Sequence, residues 1–90
     1  MPVTAVLVVE VADTSLAFDR TTKAAVYART GIADYWIVNL VDRVVEAHRD
    51  PQTAMPSGSR FASVQVLRNG DVIAPLARPD RRIAVADLLP

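Results

Sequence analysis

The run "VLVVEV", Val6 to Val11, is the feature that most restricts how this chain folds. Thr4 to Val11 is rich in valine and carries apolar residues on both faces. A strand buried on both sides, in the middle of an α/β sheet, has that pattern. "ADTSLAF" then interrupts it with small and polar residues. Asp19 to Thr30, "DRTTKAAVYART", reads as a helix closed by Gly31, with either Ser15 or Asp19 as its N-cap. "DYWIVNL", Asp34 to Leu40, is aromatic and β-branched and reads as a second strand. Strand, helix and strand in one sheet form a crossover, which joins parallel neighbours with a right-handed sense.

The rest of the chain is antiparallel in character. Arg43 to Arg49 alternates, with Val44, Glu46 and His48 on one face and Val45, Ala47 and Arg49 on the other. "NLVDR" supplies a hairpin turn between the second and third strands. Asp50 to Ser59 holds two prolines, a glycine and polar residues, so it reads as loop. "RFASVQVLR" and "DVIAPL" flank Asn69-Gly70, a strong hairpin signal. "IAVADLLP" is a short apolar end with room for half a turn of helix. The class expected is therefore α/β: one crossover helix after the first strand, then an antiparallel run. Residues 1–90 make one small domain.

Composition excludes several functions. The chain has no cysteine and one histidine, His48, so disulfide frameworks, thiolate metal sites and histidine clusters are ruled out. The formal net charge is zero, which lacks the basic footprint of a dedicated nucleic-acid-binding domain. Weak or metal-assisted engagement of DNA stays open. The first apolar run has no basic segment before it, is broken by Glu10 and is too short to span a bilayer. A soluble cytoplasmic protein with no membrane partner is the expectation.

Glu10 sits near the C-terminal end of the first strand, where open α/β sheets place ligand sites. Asp19, Lys23 and Tyr27 are spaced four apart and share one stripe of the following helix. That helix can return Lys23 towards Glu10. A carboxylate and a lysine together suit phosphodiester hydrolysis. The carboxylate holds a hard divalent cation through oxygen, and the ammonium orients water or stabilises developing charge. Nine of the ten basic residues are arginine, and the single lysine is Lys23. Arginine is a poorer substitute for a compact, tunable ammonium. Two plainer readings stand beside this one: a solvated pair of charges, and a structural ion pair of nearly neutral worth.

The ordered set Glu10, Ser15, Asp19, Lys23, Tyr27, Gly31, Tyr35 and Trp36, within "LVVEVADTSLAFDRTTKAAVYARTGIADYWIVNL", resembles the Uma-two family of restriction-endonuclease-like proteins. That family lies in the PD-(D/E)XK nuclease superfamily. The tail "VIAPLARPDRRIAVADLLP" is also similar to the family's ending, so the resemblance spans nearly the whole chain. It implies a restriction-endonuclease-like mixed sheet and a DNA endonuclease that depends on Mg2+ or Mn2+. It implies Glu10 as metal ligand, with the backbone carbonyl of Val11 beside it, and Lys23 as the catalytic lysine. In the superfamily's usual form that lysine lies two residues after the carboxylate, on the same face of the strand. Here that position is Ala12, and Lys23 on the helix replaces it. Asp19 and Tyr27 are implied as supporting residues, Asp19 capping the helix or positioning Lys23.

The sequence departs from the family pattern in three places. Ala33 stands for a proline, Asp34 for a glutamate, and Asn39 for a frequent aspartate whose effect is expected to stay in the turn. More consequentially, members run to about twice this length, an ordinary domain size. Their first half carries the "PD" aspartate, and no aspartate precedes Glu10 here. The expectation is a truncated domain lacking the N-terminal part of the family fold. Such a chain holds its metal weakly and is impaired in catalysis alone. A homo-oligomer or a completing partner chain, joined through the first strand's free edge, is expected to stabilise it. The alternative is a non-catalytic remnant or interaction module of the same fold. Tyr35 and Trp36 are expected in the core, His48 at the surface or half-buried, and Arg78, Arg81 and Arg82 in a solvated loop.

Overall fold

The computed structural model describes residues 7–53 and 58–90. Its sheet holds four strands in the order β1-β2-β3-β4: β1 (Val8–Ala12), β2 (Asp34–Asn39), β3 (Val44–Gln52) and β4 (Arg60–Leu67). β1 and β2 are parallel, with Glu10 opposite Ile37 and Ala12 opposite Asn39. The β2–β3 and β3–β4 pairs are antiparallel. The expected α/β class and mixed sheet are what the chain adopts. Thr4 to Val6 of the expected first strand lies outside the described residues.

The crossover between β1 and β2 carries one unbroken helical stretch, Leu16 to Arg29. It comprises α1 (Leu16–Phe18), a π-helical turn over Asp19–Lys23, and α2 (Ala24–Arg29). It starts after Ser15, whose carbonyl accepts the Asp19 N–H at 2.9 Å. Asp19 therefore lies inside the helix and does not cap it. Gly31, at φ 83°, closes the other end. The Ile32 N–H donates to the Tyr27 carbonyl at 3.0 Å, and the Gly31 N–H to the Ala28 carbonyl at 3.1 Å. This paired closure requires the left-handed conformation that glycine adopts without steric cost.

Helix and sheet meet in one apolar cluster: Ala12, Leu16, Ala24, Ala28, Tyr35, Ile37 and Phe61. The opposite face of the sheet presents Trp36, Val38, Val45, Ala47 and Leu67, covered by Ile73 and Val85 from the tail. This cover explains two corrections. The Asn69-Gly70 turn does not join β4 to a hairpin partner. Instead β5 (Val72–Ile73) pairs with β6 (Ile83–Ala84), which leads into α3 (Val85–Leu88). Burying Ile73 and Val85 against the sheet outweighs extending the sheet edge. The cover also packs on β2 and β3, so β1 is not buried on both sides as expected. Val9 and Val11 are 45% and 64% exposed, whereas every residue of β2 is buried.

A third correction concerns Asp50 to Gln52, which belong to β3 and not to a loop. Asp50 takes φ 61° and interrupts the pairing, which resumes with Pro51 opposite Phe61. Past this kink Phe61 packs into the helix-side cluster, its ring 5.9 Å from that of Tyr35. Among the described residues no helix is long and apolar enough to cross a membrane.

Candidate functional site

Val8, Glu10 and Ala12 alternate onto the helix side of β1, and Val8 and Ala12 anchor that face in the core. Glu10 is held between them, its side chain 27% exposed. The crossover brings two residues of one stripe onto its two oxygens. Lys23 Nζ donates to Oε1 at 3.3 Å, and the Tyr27 hydroxyl donates to Oε2 at 2.9 Å. Asp19 approaches from the π-helical turn, with Oδ1 3.2 Å from Lys23 Nζ. Glu10, Asp19, Lys23 and Tyr27, singled out in the sequence, thus meet at one place. Val11 points its side chain to the opposite, exposed face. The Ala12 carbonyl accepts the Leu40 N–H at 2.9 Å, so by strand alternation the Val11 carbonyl faces away from β2.

Asp19 is 1% exposed, and its two oxygens fare differently. Oδ2 accepts the Ser15 hydroxyl at 3.1 Å. Oδ1 is fully buried and rests 3.2 Å from the Lys23 ammonium, its charge partner, without full hydrogen-bond alignment. The Asp19 backbone carbonyl accepts the Tyr35 hydroxyl at 3.1 Å. A π-helical turn frees such carbonyls from the regular ladder, and these turns are frequent at functional sites.

Charge in the cluster is fixed by these contacts. Asp19, and then Glu10, raises the Lys23 ammonium above its ordinary pKa. The hydrogen bond to Glu10, reinforced by burial, raises the Tyr27 phenol, which therefore stays a donor. Burial raises Tyr35 still further. The site presents an ammonium and a phenol around a half-buried carboxylate at neutral pH.

A second polar cluster lies on the same side of the sheet and was not foreseen from the sequence. Glu10, Ile37 and Glu46 lie in one row across β1, β2 and β3. Their backbones are two strand spacings apart, roughly 10 Å, and the two carboxylates have separate partners. Glu46 accepts the Arg20 Nε–H at 3.0 Å and a further bond from Arg20 Nη2. It also accepts Asn39 Nδ2 at 3.0 Å and meets His48 Nε2 at 3.1 Å. Burial pushes the Glu46 carboxyl up, but the hydrogen bonds from Arg20, His48 and Asn39 outweigh it and hold the pKa below the usual range. Two expectations change here. His48 is buried, because Glu46 gives its ring a polar partner. Asn39 does more than shape its turn, where its Oδ1 accepts the Asp42 N–H at 3.0 Å, because it also ties that turn to Glu46. The signal available was Glu46 and His48 on one face of β3; nothing in the spacing pointed to Arg20.

Tyr35 and Trp36 are core residues, 0% and 1% exposed, as expected. The Trp36 indole N–H donates to Asp34 Oδ1 at 2.7 Å, so it offers no face to a base. Arg78, Arg81 and Arg82 are exposed, as expected of a solvated loop. Among the described residues no three His, Cys, Asp or Glu side chains converge on a metal position.

The family model Uma2, described as putative restriction endonuclease, matches residues 1–86. No curated protein matches the sequence.

Proposed function

The chain belongs to the Uma2 family, and from that membership and the Glu10 cluster we propose that it is a divalent-metal-dependent DNA endonuclease. The observation that carries the reading is the convergence of Lys23 and Tyr27 on the two oxygens of Glu10. The donor set fits a hard cation. Glu10 is partly open to solvent, and the Val11 carbonyl faces away from β2. Magnesium is commonly held by one or two carboxylates, with water and substrate phosphate completing its shell. Glu10 and the Val11 carbonyl would hold the ion weakly, and when bound it polarises the phosphate and acidifies a bound water.

The chain's own residues have separate tasks. Tyr27 orients Glu10 by donating to Oε2. Lys23 carries a lasting positive charge, which orients the attacking water or steadies the charge that grows on the phosphate oxygens. Asp19 positions Lys23 from behind, itself fixed by Ser15 and Tyr35. Water adds to phosphorus as the P–O bond to the leaving sugar breaks, yielding a phosphomonoester and an alcohol.

A second reading, a non-catalytic module of the same fold, is favoured by the fact that both Glu10 oxygens already have protein partners. Plasmid DNA incubated with Mg2+ or Mn2+ separates the two. Nicking by the native chain that disappears in both Glu10→Gln and Lys23→Ala is the outcome expected of the endonuclease. Nicking that survives both substitutions removes the assignment.

A further inference from the structure

Lys23 Nζ lies between two carboxylates, 3.3 Å from Glu10 Oε1 and 3.2 Å from Asp19 Oδ1. It makes an aligned hydrogen bond only to Glu10, which leaves the buried Asp19 Oδ1 without one. A buried carboxylate oxygen without a hydrogen bond is costly, and native structures hold few. One ammonium is thus divided between two anions and satisfies one of them. A divalent cation held by Glu10 Oε1 would compete with the ammonium for that oxygen.

We infer that Lys23 and a divalent cation exclude each other from Glu10 Oε1, and that the ammonium turns fully onto Asp19 Oδ1, already 3.2 Å away, when a cation binds. The inference rests on the metal-binding reading of Glu10 and concerns how that site is regulated. Two like charges at contact distance on one carboxylate oxygen repel strongly, so both cannot remain. A lysine can yield because its ammonium is compact and rides on a flexible four-carbon stem. The receiving position is rigid: Ser15 holds Asp19 Oδ2, and Tyr35 holds the Asp19 carbonyl. Glu10 stays oriented meanwhile, because Tyr27 keeps its other oxygen. Turning onto Asp19 Oδ1 aligns a contact that already exists at 3.2 Å.

Titration calorimetry of the full chain with Mn2+, without DNA, tests this. Lys23→Met, which keeps the stem's packing, is expected to bind Mn2+ about tenfold more tightly than the native chain, equivalent to about 1.4 kcal/mol. Lys23→Gln should shift affinity the same way and guards against a folding artefact in either variant. Glu10→Gln should abolish binding in the native and Lys23→Met backgrounds. If Glu10→Gln abolishes binding while both Lys23 variants bind as the native chain or more weakly, the exclusion is overturned and the metal reading of Glu10 stands. If Glu10→Gln leaves binding unchanged, or no variant binds, both are overturned.

Discussion

Arg20 and Lys23 leave the same π-helical turn and reach two carboxylates in one row of the sheet, on either side of Ile37. Arg20 grips Glu46 with two nitrogens, and Glu46 has Asn39 and His48 as well, so its oxygens are saturated and 4% exposed. Lys23 is divided between Glu10 Oε1 at 3.3 Å and Asp19 Oδ1 at 3.2 Å, and only the first contact is aligned as a hydrogen bond. A rigid guanidinium fork suits a fixed joint, and a mobile ammonium suits a place where partners change. The two clusters differ in kind: the Glu46 joint holds the helix on the sheet, while the Glu10 cluster is, on the proposed reading, the one kept for chemistry. If so, substitutions at saturated carboxylates should cost stability, and substitutions at Glu10 and its partners should cost function with little stability.

The largest effect should come from a third carboxylate, Asp34, on the other face of the sheet. It is fully buried and accepts Trp36 Nε1 at 2.7 Å, Arg49 Nε at 2.8 Å and the Leu76 N–H at 2.9 Å. Asp34→Ala leaves these donors unpaired and the Arg49 charge largely buried. The expected loss in urea unfolding is about 4 kcal/mol, in the range for breaking a buried pair by removing one partner. A loss under about 1 kcal/mol would place Asp34 with the unsaturated carboxylates and break the comparison.

Next is Glu46→Gln, which keeps the shape and removes the charge. A loss of about 3 kcal/mol at pH 7 is expected, because Arg20 loses its bidentate anion. The pH dependence sharpens this. The folded pKa of Glu46 lies below the ordinary value of 4.5. A depressed carboxylate contributes stability above its unfolded pKa, and that contribution is lost as pH falls through the folded value. The gap between native and Glu46→Gln chains, followed by urea unfolding, should therefore be constant above about pH 5.5 and shrink below 4.5. A gap that does not change with pH would mean that the ion pair is not what Glu46 contributes.

Much of this was legible because it follows local rules. The valine run, the Gly31 closure and the alternation from Val44 to Arg49 specify β1, the crossover and the hairpin, and the four-residue stripe from Asp19 to Tyr27 brings the site residues together. What could not be read depends on contacts distant in sequence. Arg20 meets Glu46 across 26 positions, and Leu76 meets Asp34 across 42. Asn69-Gly70 has hairpin chemistry, but the uncovered Trp36 face draws Ile73 and Val85 beneath the sheet. Pro51 suggested loop, yet a single positive-φ residue, Asp50, lets β3 continue through it. The π-helical turn is not legible in the apolar pattern, although Leu16, Ala24 and Ala28 on either side of it join one buried cluster.

The smallest effect is expected at Tyr27. Tyr27→Phe keeps the ring against Tyr35, 4.9 Å between centroids, and removes only the hydroxyl that donates to Glu10 Oε2. Glu10 is partly exposed, so water can replace the lost donor, and the stability cost should be about 0.5–1 kcal/mol. The functional consequence should be larger than that. Without the Tyr27 hydroxyl no side chain fixes Oε2, and the carboxylate is free to rotate towards Lys23 with both oxygens. Mn2+ affinity measured by calorimetry should then fall, because the ammonium gains the oxygen that the phenol had kept for itself. Combining Tyr27→Phe with Lys23→Met separates the two causes. If Tyr27 acts by keeping Glu10 from closing on Lys23, the loss seen in the native background disappears when Lys23 is absent. If the loss persists undiminished, Tyr27 acts on Glu10 alone, and its coupling to Lys23 is rejected.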